Sequence, residues 1–135
     1  MQCLRNERFP IRVQSDIVVI RQKVRSWAAE IGLGIIDQTK VVTAASELAR
    51  NTLDYGGGGE VEIACLTTDT QKRGIRLTFE DEGPGIADIA LALTDGYTTG
   101  GGLGMGLSGS KRLMNEFKLE SEAGKGTRVT IIKWK

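Results

Sequence analysis

The glycines of this chain are concentrated in three short stretches, and their placement constrains the fold more than any other feature of the sequence. Of the 18 glycines in 135 residues, four form the run 56–59, two flank a proline at 83–85, and seven lie within 96–109. A linker or a collagen-like repeat would scatter glycine or repeat it at a fixed period. Glycines clustered in this way instead mark backbone that turns sharply or approaches a ligand closely.

The composition excludes several classes of protein. The absence of histidine excludes histidine general bases, histidine metal ligands and histidine phosphoacceptors. A net charge of +1 gives no electrostatic reason to expect nucleic acid as a partner. We find no apolar run near the roughly 18 residues of a membrane span and no signal-peptide pattern, which favours a cytoplasmic location. The length favours a single domain over residues 1–135.

Hydrophobic periodicity predicts the order strand, helix, helix, strand, strand, loop, helix, strand, strand. Because helices and strands do not alternate one for one, the pattern predicts an α+β fold. We expect a two-layer sandwich whose mixed, mostly antiparallel sheet is covered on one face by three helices. The strands are placed at 8–13, 61–65, 75–79, 118–121 and 127–134, and the helices at about 16–31, 38–55 and 106–117, with a further short helix near 88–93.

Individual residues add detail to this outline. Pro10 suits an edge strand, because proline lacks the N–H that a central strand needs. Ser15 is the candidate N-cap of the first helix. Cys65 falls on the apolar phase of its strand, so we expect a buried thiol rather than a disulfide with Cys3.

The second helix carries the first candidate site. Glu47 and Asn51 are four residues apart, so the two side chains share one face of the helix. A carboxylate beside a carboxamide oxygen can hold a hard cation or orient a nucleophile. Most such pairs on helices are simply solvated. These two adjoin the apolar stripe, which places them at the edge of the core, where a pocket could form.

The second candidate site follows a strand. Ile75, Leu77 and Phe79 alternate along the predicted strand and so point to the same face of the sheet. Asp81 is the next residue in this alternation, so its side chain should also point toward the core. A carboxylate at the rim of the core needs hydrogen-bond donors, and it could accept a hydrogen bond from the exocyclic amine of adenine. The alternative is that Asp81 only caps the turn formed by residues 81–85.

The third candidate site is the glycine-rich run before the last helix. Bare backbone N–H groups at a helix N-terminus bind phosphate. The spacing also satisfies a dinucleotide pattern, although no strand precedes it, and a Walker loop is excluded because no Gly-Lys-Ser/Thr follows. The alternative for this run is a flexible surface loop. The glycines concerned are Gly100, Gly101, Gly102, Gly104, Gly106 and Gly109.

Together and in this order, the three sites resemble the Bergerat-type ATP-binding fold shared by gyrase, the Hsp90 chaperones, histidine kinases and MutL mismatch-repair proteins. The resemblance extends from Phe9 to the C-terminus. The matching residues are Glu47 and Asn51 for the N box, Asp81, Gly83 and Gly85 for the first glycine box, and Gly102, Gly104 and Gly106 for the second.

The resemblance implies ATP and Mg²⁺ as cofactors and gives each residue a role. Asp81 would accept a hydrogen bond from the adenine amine, with Thr127 beside it. Asn51 would bind Mg²⁺. Glu47 would orient or deprotonate the attacking hydroxyl. Thr98 and Thr99 would belong to a mobile lid. The remaining nucleotide contacts would come from Gly83, Gly85, Gly102, Gly104, Met105, Gly106 and Leu107.

Residues 46–51, followed by Tyr55 and four glycines, are similar to the RsbT-type serine-protein kinases of stressosome modules. This implies an ATP- and Mg²⁺-dependent serine/threonine-protein kinase that phosphorylates a STAS-domain antagonist. When released, it would bind and activate a PP2C-type phosphatase regulator, and neither nucleic acid nor membrane would be a partner. The candidate partner-binding residues are Arg21, Arg25 and Arg50.

Three alternative classes of protein contain the same N box and glycine boxes. Anti-sigma kinases of the RsbW and SpoIIAB type sequester a sigma factor, but they usually carry an Asn-Ala dipeptide and then a histidine where this chain has Asn51, Thr52 and Tyr55. A histidine-kinase catalytic domain could not phosphorylate itself on histidine, since this chain has none. A nucleotide-gated conformational ATPase would need a second domain to move.

Overall fold

The structure is a computed structural model that describes residues 1–85 and 103–135. Its elements follow the predicted order; the short helix expected near 88–93 lies outside the described residues. The elements are β1 Gln2–Ile11, α1 Gln14–Glu30, α2 Ile35–Asp54, β2 Gly59–Thr67, β3 Arg73–Asp81, α3 Leu103–Leu113, β4 Glu116–Ser121 and β5 Thr127–Trp134.

The five strands form one sheet in the order β1-β2-β3-β5-β4. All four pairings between neighbouring strands are antiparallel. The α+β sandwich predicted from the sequence is therefore confirmed, whereas the parallel pairing that a mixed sheet would contain is absent from the described strands. Pro10 lies in β1, which is an edge strand, as expected from its missing N–H.

The core lies between the helices and one face of the sheet. Alternation along β3 sends Ile75, Leu77 and Phe79 into this layer, each at most 1% exposed. The helices contribute stripes at helical spacing, with Trp27 of α1 and Leu48 of α2 among the largest fully buried side chains. Burial of this apolar layer holds α2 against the sheet and α3 against α2, near the end of β3 where Asp81 lies.

The start of α1 differs from the prediction. The carboxylate of Asp16 accepts hydrogen bonds from the backbone N–H groups of Arg12 (2.8 Å) and Val13 (3.1 Å). Ser15, the predicted N-cap, lies inside the first turn of the helix. The prediction was wrong because a carboxylate three residues after the N-cap satisfies the free donors from within the helix.

Two further boundaries differ from the prediction. The second helix begins at Ile35, not Gln38. Its first turn was missed because Ile35 and Ile36 are each 72% exposed and do not continue the apolar periodicity of the buried stripe. The third helix covers Leu103–Leu113 instead of 106–117. Phe117, expected in that helix, lies in β4 and packs against the core.

Both cysteines are free and Cys65 is buried, as predicted, whereas Cys3 is exposed. Burial is the main cause that raises the pKa of the Cys65 thiol above its usual range. Within the described ranges, no helix combines the length and the apolar character needed to cross a bilayer.

Candidate functional site

A cleft of about 170 Å³ opens where α2, α3 and the adjoining ends of β3 and β5 meet. Its walls are mostly apolar, and its polar groups are few. Such a concave, largely apolar space with a few placed polar groups is typical of a small-molecule site. The residues that line it are Leu48, Asn51, Thr52, Tyr55, Gly56, Phe79, Asp81, Pro84, Gly85, Leu107, Thr127 and Val129.

Asp81 ends β3 and lines this cleft, as the strand phase predicted. Burial raises the pKa of its carboxyl above the usual range, partly offset by hydrogen bonds from the backbone N–H groups of Gly83 and Thr127. The Gly83 N–H donates to Oδ1 at 2.9 Å, so the turn-capping role also holds. The two interpretations of Asp81 are compatible, because Oδ1 serves the turn and the carboxylate still borders the cleft.

Glycines surround Asp81 so closely that a side chain would displace it. A Cβ on Gly56 would lie 2.4 Å from Asp81 Cγ, and a Cβ on Gly126 would lie 2.2 Å from the Asp81 carbonyl oxygen. A Cβ on Gly83 would lie 2.7 Å from the Cα of Gly56. The end of α2 is thus seated directly on the turn that carries Asp81.

A Gly56→Ala substitution tests this contact. The added methyl group would overlap Asp81, so Asp81 must move. Overpacking of this kind lowers the free energy of unfolding by about 1–3 kcal/mol. We expect a lower melting temperature and an ATP affinity reduced about ten-fold. Gly34→Ala is the matched control, since nothing lies within 4 Å of its Cβ position. Equal ATP affinity in the two variants would contradict the prediction.

Asn51 lies on the α2 wall of the cleft, as predicted, and its amide is incompletely satisfied. The Nδ2 atom is buried and has no hydrogen-bond partner. Buried polar atoms without partners are rare in proteins, and each requires an explanation such as an ion or ligand that completes the site. The position fits a group that enters the cleft and interacts with the Asn51 amide.

Glu47 shares the helix with Asn51 but does not line the cleft. It borders a separate groove between α1 and α2, where its carboxylate accepts a hydrogen bond from Arg50 at 3.1 Å. The side chains of Glu47 and Arg50 are 44% and 49% exposed. Glu47 and Asn51 therefore share a helical face but border different spaces, because the cleft and the groove lie on adjacent sides of α2.

The same groove holds the three arginines predicted to bind a partner, Arg21, Arg25 and Arg50. Arg50 is paired with Glu47, as the salt-bridge alternative for it allowed. Within the described residues, Arg21 and Arg25 have neither a hydrogen bond nor an ion pair through their side chains. They are four apart on α1, a spacing at which like charges repel.

The first turn of α3 contains Gly104, which the sequence had assigned to a loop, and Gly106, at which the helix was expected to begin. Gly104 and Gly106 lie within the helix, which begins at Leu103. Glycine disfavours helix by up to about 1 kcal/mol, but packing overrides this: Leu107 is 1% exposed and lines the cleft. The first four N–H groups of a helix have no partner within it, so this end can bind anions. Met105 is also in this turn, whereas Thr98, Thr99 and Gly102 lie outside the described residues.

Several cleft residues were missed by sequence reasoning. Tyr55, Phe79 and Val129 line the cleft, and Gly56 and Gly126 enclose Asp81. The strand phase could have found Val129, since it precedes Ile131 on the inward face of β5. Gly126 had no signal beyond its place in a turn, because its close approach to Asp81 exists only once β3 and β5 pair.

The donor set for a metal is sparse. Within residues 1–85 and 103–135, no three acidic or cysteine side chains group closely enough to hold a cation. Mg²⁺ commonly binds one or two protein oxygens and completes its shell with substrate phosphates and water. Asn51 offers its Oδ1 as one such oxygen, and its unpartnered Nδ2 group fits an acceptor such as a phosphate oxygen, so metal and phosphates would enter together.

Comparison with known proteins decides the family. The model of the family described as histidine kinase-, DNA gyrase B- and HSP90-like ATPase matches residues 36–135. The serine/threonine-protein kinase RsbT of Bacillus subtilis (strain 168) is 47% identical over 131 residues, which cover 96% of this chain and 98% of that protein. This chain belongs to the RsbT family of serine/threonine-protein kinases.

More distant similarities to this RsbT-family kinase include one sequence relative and one solved structure that shares the fold. An anti-sigma F factor of Clostridium novyi (strain NT) is 32% identical over 120 residues, covering 84% of this chain and 82% of that protein. A crystal structure of the RsbU and RsbW domains of a Mycobacterium tuberculosis protein superposes with a TM-score of 0.64 at 20% identity, over 96% of this chain and 32% of that one. The RsbT-type resemblance and the ATP-binding kinase fold expected from the sequence are confirmed.

Proposed function

We propose that this RsbT-family kinase transfers a phosphoryl group from Mg²⁺-ATP to a serine or threonine hydroxyl of a STAS-domain antagonist. The observation that carries the proposal is the cleft, where a partly desolvated carboxylate and a carboxamide with an unpartnered Nδ2 atom border a mostly apolar space. Released from that antagonist, the kinase would bind and activate a PP2C-type phosphatase regulator in the cytoplasm. One domain over residues 1–135 would carry the activity.

The adenine would occupy the apolar end of the cleft. Leu48, Phe79 and Val129 supply apolar surface, which favours a heterocyclic base. The carboxylate of Asp81 would accept the exocyclic amine, with Thr127 beside it as the paired residue on β5. Gly83 and Gly85 would shape the turn that presents Asp81, so the glycine box serves the base indirectly.

The phosphates would extend toward the N-terminus of α3. The backbone N–H groups around Gly104, Met105 and Gly106 would donate to phosphate oxygens, and the helix dipole adds favourable charge. Mg²⁺, when bound, neutralises oxygen charge as the phosphoryl group is transferred. Asn51 would hold it through the amide oxygen. Gly102 would join the cradle, Leu107 would pack beneath it, and Thr98 and Thr99 would belong to a lid.

Glu47 would orient the attacking hydroxyl and accept its proton. The hydroxyl oxygen bonds to the γ-phosphorus while the bond to the β-phosphate oxygen breaks and ADP leaves. To do this, the Glu47 carboxylate must turn from Arg50 toward the cleft. Exposed ion pairs contribute about 0–1 kcal/mol, so the pair with Arg50 presents little barrier to that movement.

The groove between α1 and α2 would receive the partner. Its arginines favour an acidic surface, since Arg21 and Arg25 are without a charge partner in the described residues, and Glu47 borders the same groove. A docked protein would therefore place its hydroxyl next to Glu47. Phosphorylation would then add negative charge to the interface and alter partner affinity.

An Arg21→Glu substitution tests the groove. We expect phosphorylation of a STAS-domain partner to fall about ten-fold through a higher KM, because reversed charge weakens docking at an interface. ATP affinity should not change, since Arg21 does not line the cleft. Arg73→Glu on β3 is the control for a general charge effect. Equal loss in both variants would count against the groove.

The proposed activity is tested by incubating the protein with labelled ATP, Mg²⁺ and a candidate STAS-domain protein, followed by phosphosite mapping. We expect label on one serine or threonine of the partner and none when Mg²⁺ is chelated. Tight ATP binding without transfer to any STAS-domain protein would contradict the kinase assignment.

A second candidate function is sequestration of a sigma factor, favoured by the 32% identity to an anti-sigma F factor. Co-purification decides between the two. Stable recovery of a sigma factor with the protein, and no STAS-domain partner, would favour sequestration. The Asn51-Thr52 and Tyr55 departures from the anti-sigma pattern are the reason that the STAS-directed kinase is preferred.

A further inference from the structure

Lys133 is a buried lysine that the proposed reaction does not use. It lies on β5, points into the helix layer and is 7% exposed. Its Nζ donates to the carbonyl oxygen of Leu113 at 3.2 Å and lies 3.7 Å from the carboxylate of Asp37. Burying an ammonium group is costly, and an apolar residue of similar volume would often be as stable there. The position therefore calls for an explanation other than stability.

The contacts of Lys133 are at the end of α3 that faces away from the cleft. Leu113 is the last residue of α3, so its carbonyl is one of the four that a helix leaves without partners. A cation at a helix C-terminus also interacts favourably with the helix dipole. Asp37 lies in the first turn of α2. Lys133 thus joins the C-terminus of α3 to β5 and to the N-terminus of α2.

A second set of bonds acts at the same place. The Asn115 N–H donates to the Ile132 carbonyl (3.1 Å), and the Trp134 N–H donates to Asn115 Oδ1 (2.7 Å). With the Lys133 bond, these contacts form a clamp that fixes the end of α3 and the following turn onto β5. Because a helix of 11 residues moves as a rigid rod, fixing one end limits where the other end can be.

We propose that Lys133 is a positioning residue for the phosphate-binding end of α3. The inference rests on the proposed function, in which the N-terminal N–H groups of α3 bind the phosphates. Asp81 pairs with Thr127, which lies at the opposite end of β5 from Lys133, so the adenine end of the cleft is far from the clamp. Loss of Lys133 should therefore weaken binding of the triphosphate and spare binding of the base.

The test compares two ligands in the full chain. Lys133→Met removes the charge and the donor at similar length, and we expect the affinity for AMP-PNP with Mg²⁺, measured by calorimetry, to fall about ten-fold, as for a lost hydrogen bond to a charged group. The affinity for adenosine, measured by ligand-observed NMR, should change less than about two-fold. Lys118→Met, an exposed lysine of β4 with a 72% exposed side chain, should leave both unchanged.

Folding is checked by circular dichroism, and a second variant keeps the test decisive if Lys133→Met fails to fold. Asn115 is exposed, so Asn115→Ala should fold and show the same selective loss at smaller size. An equal loss for both ligands in a folded variant, or no loss for AMP-PNP, would overturn the proposal. Wild-type protein that binds neither ligand would overturn the proposed function itself.

Discussion

An Asp81→Asn variant is expected to fold normally and to lose ATP binding, by about a hundredfold or more in affinity. The Gly83 N–H donates to Oδ1, a bond that the asparagine oxygen can keep. The new amide nitrogen replaces the other carboxylate oxygen, so it can no longer accept from the Thr127 N–H and it presents a donor to the adenine amine, which is also a donor. Two donors facing each other in a desolvated cleft remove the hydrogen bond and leave both groups unsatisfied.

The same substitution should change the stability of the ligand-free protein more favourably at neutral pH than at acidic pH. Burial raises the pKa of Asp81 in the folded state above its unfolded value, so the folded state prefers the protonated acid. In the wild type, the contribution of Asp81 to the free energy of unfolding is therefore largest below the pKa of the unfolded state. It is lost as the pH rises through the pKa of the folded state. The neutral amide lacks this loss, so the difference in melting temperature, variant minus wild type, should grow across that acidic window.

Calorimetry with AMP-PNP measures the binding loss, and thermal melts from acid to neutral pH measure the stability change. Asp69→Asn makes the same chemical change in the exposed turn between β2 and β3 and should alter neither quantity. Tight binding of AMP-PNP by the Asp81→Asn protein would remove Asp81 from the base-recognition role. A melting difference that stays flat with pH would show that the raised pKa has no consequence for folding.

The features that the sequence predicted well are those that depend on a rigid local repeat. Alternation along β3 fixed the direction of Asp81, because successive side chains of a strand must point to opposite faces. The buried stripe of α1 followed from its 3.6-residue period in the same way, and Ile20, Val24 and Trp27 are all at most 1% exposed. The resemblance to known family motifs then indicated that the separate candidate residues belong to one nucleotide site.

The features that the sequence did not predict depend on contacts between distant segments. Glu47 and Asn51 share a helical face, but α1 packs beside only one of them, so one borders a groove and the other a cleft. The approach of Gly126 to Asp81 requires the pairing of β3 with β5. The early start of α3 reflects tertiary packing of Leu107, which outweighs the low helix propensity of Gly104.

The carboxamide of Asn51 is the group whose removal should affect transfer most without affecting the fold. Its Nδ2 atom is buried without a partner, so Asn51→Ala deletes no hydrogen bond through that atom, and we expect little change in melting temperature. If the amide oxygen holds Mg²⁺, the variant loses a group that stabilises charge during transfer. The rate of phosphorylation should then fall about 10²–10³-fold, as for removal of one preorganised electrostatic contact in an active site.

Two titrations separate a metal role from a general defect of the cleft. ATP affinity without Mg²⁺ should be similar in wild type and Asn51→Ala, because Asp81 and the apolar walls are intact. The gain in affinity on adding Mg²⁺ should be present in wild type and in Asn6→Ala, an exposed asparagine of β1, and be largely lost in Asn51→Ala. Unchanged transfer at every Mg²⁺ concentration would assign the metal to other groups, and an equal loss of affinity with and without Mg²⁺ would make Asn51 a contact for the nucleotide itself.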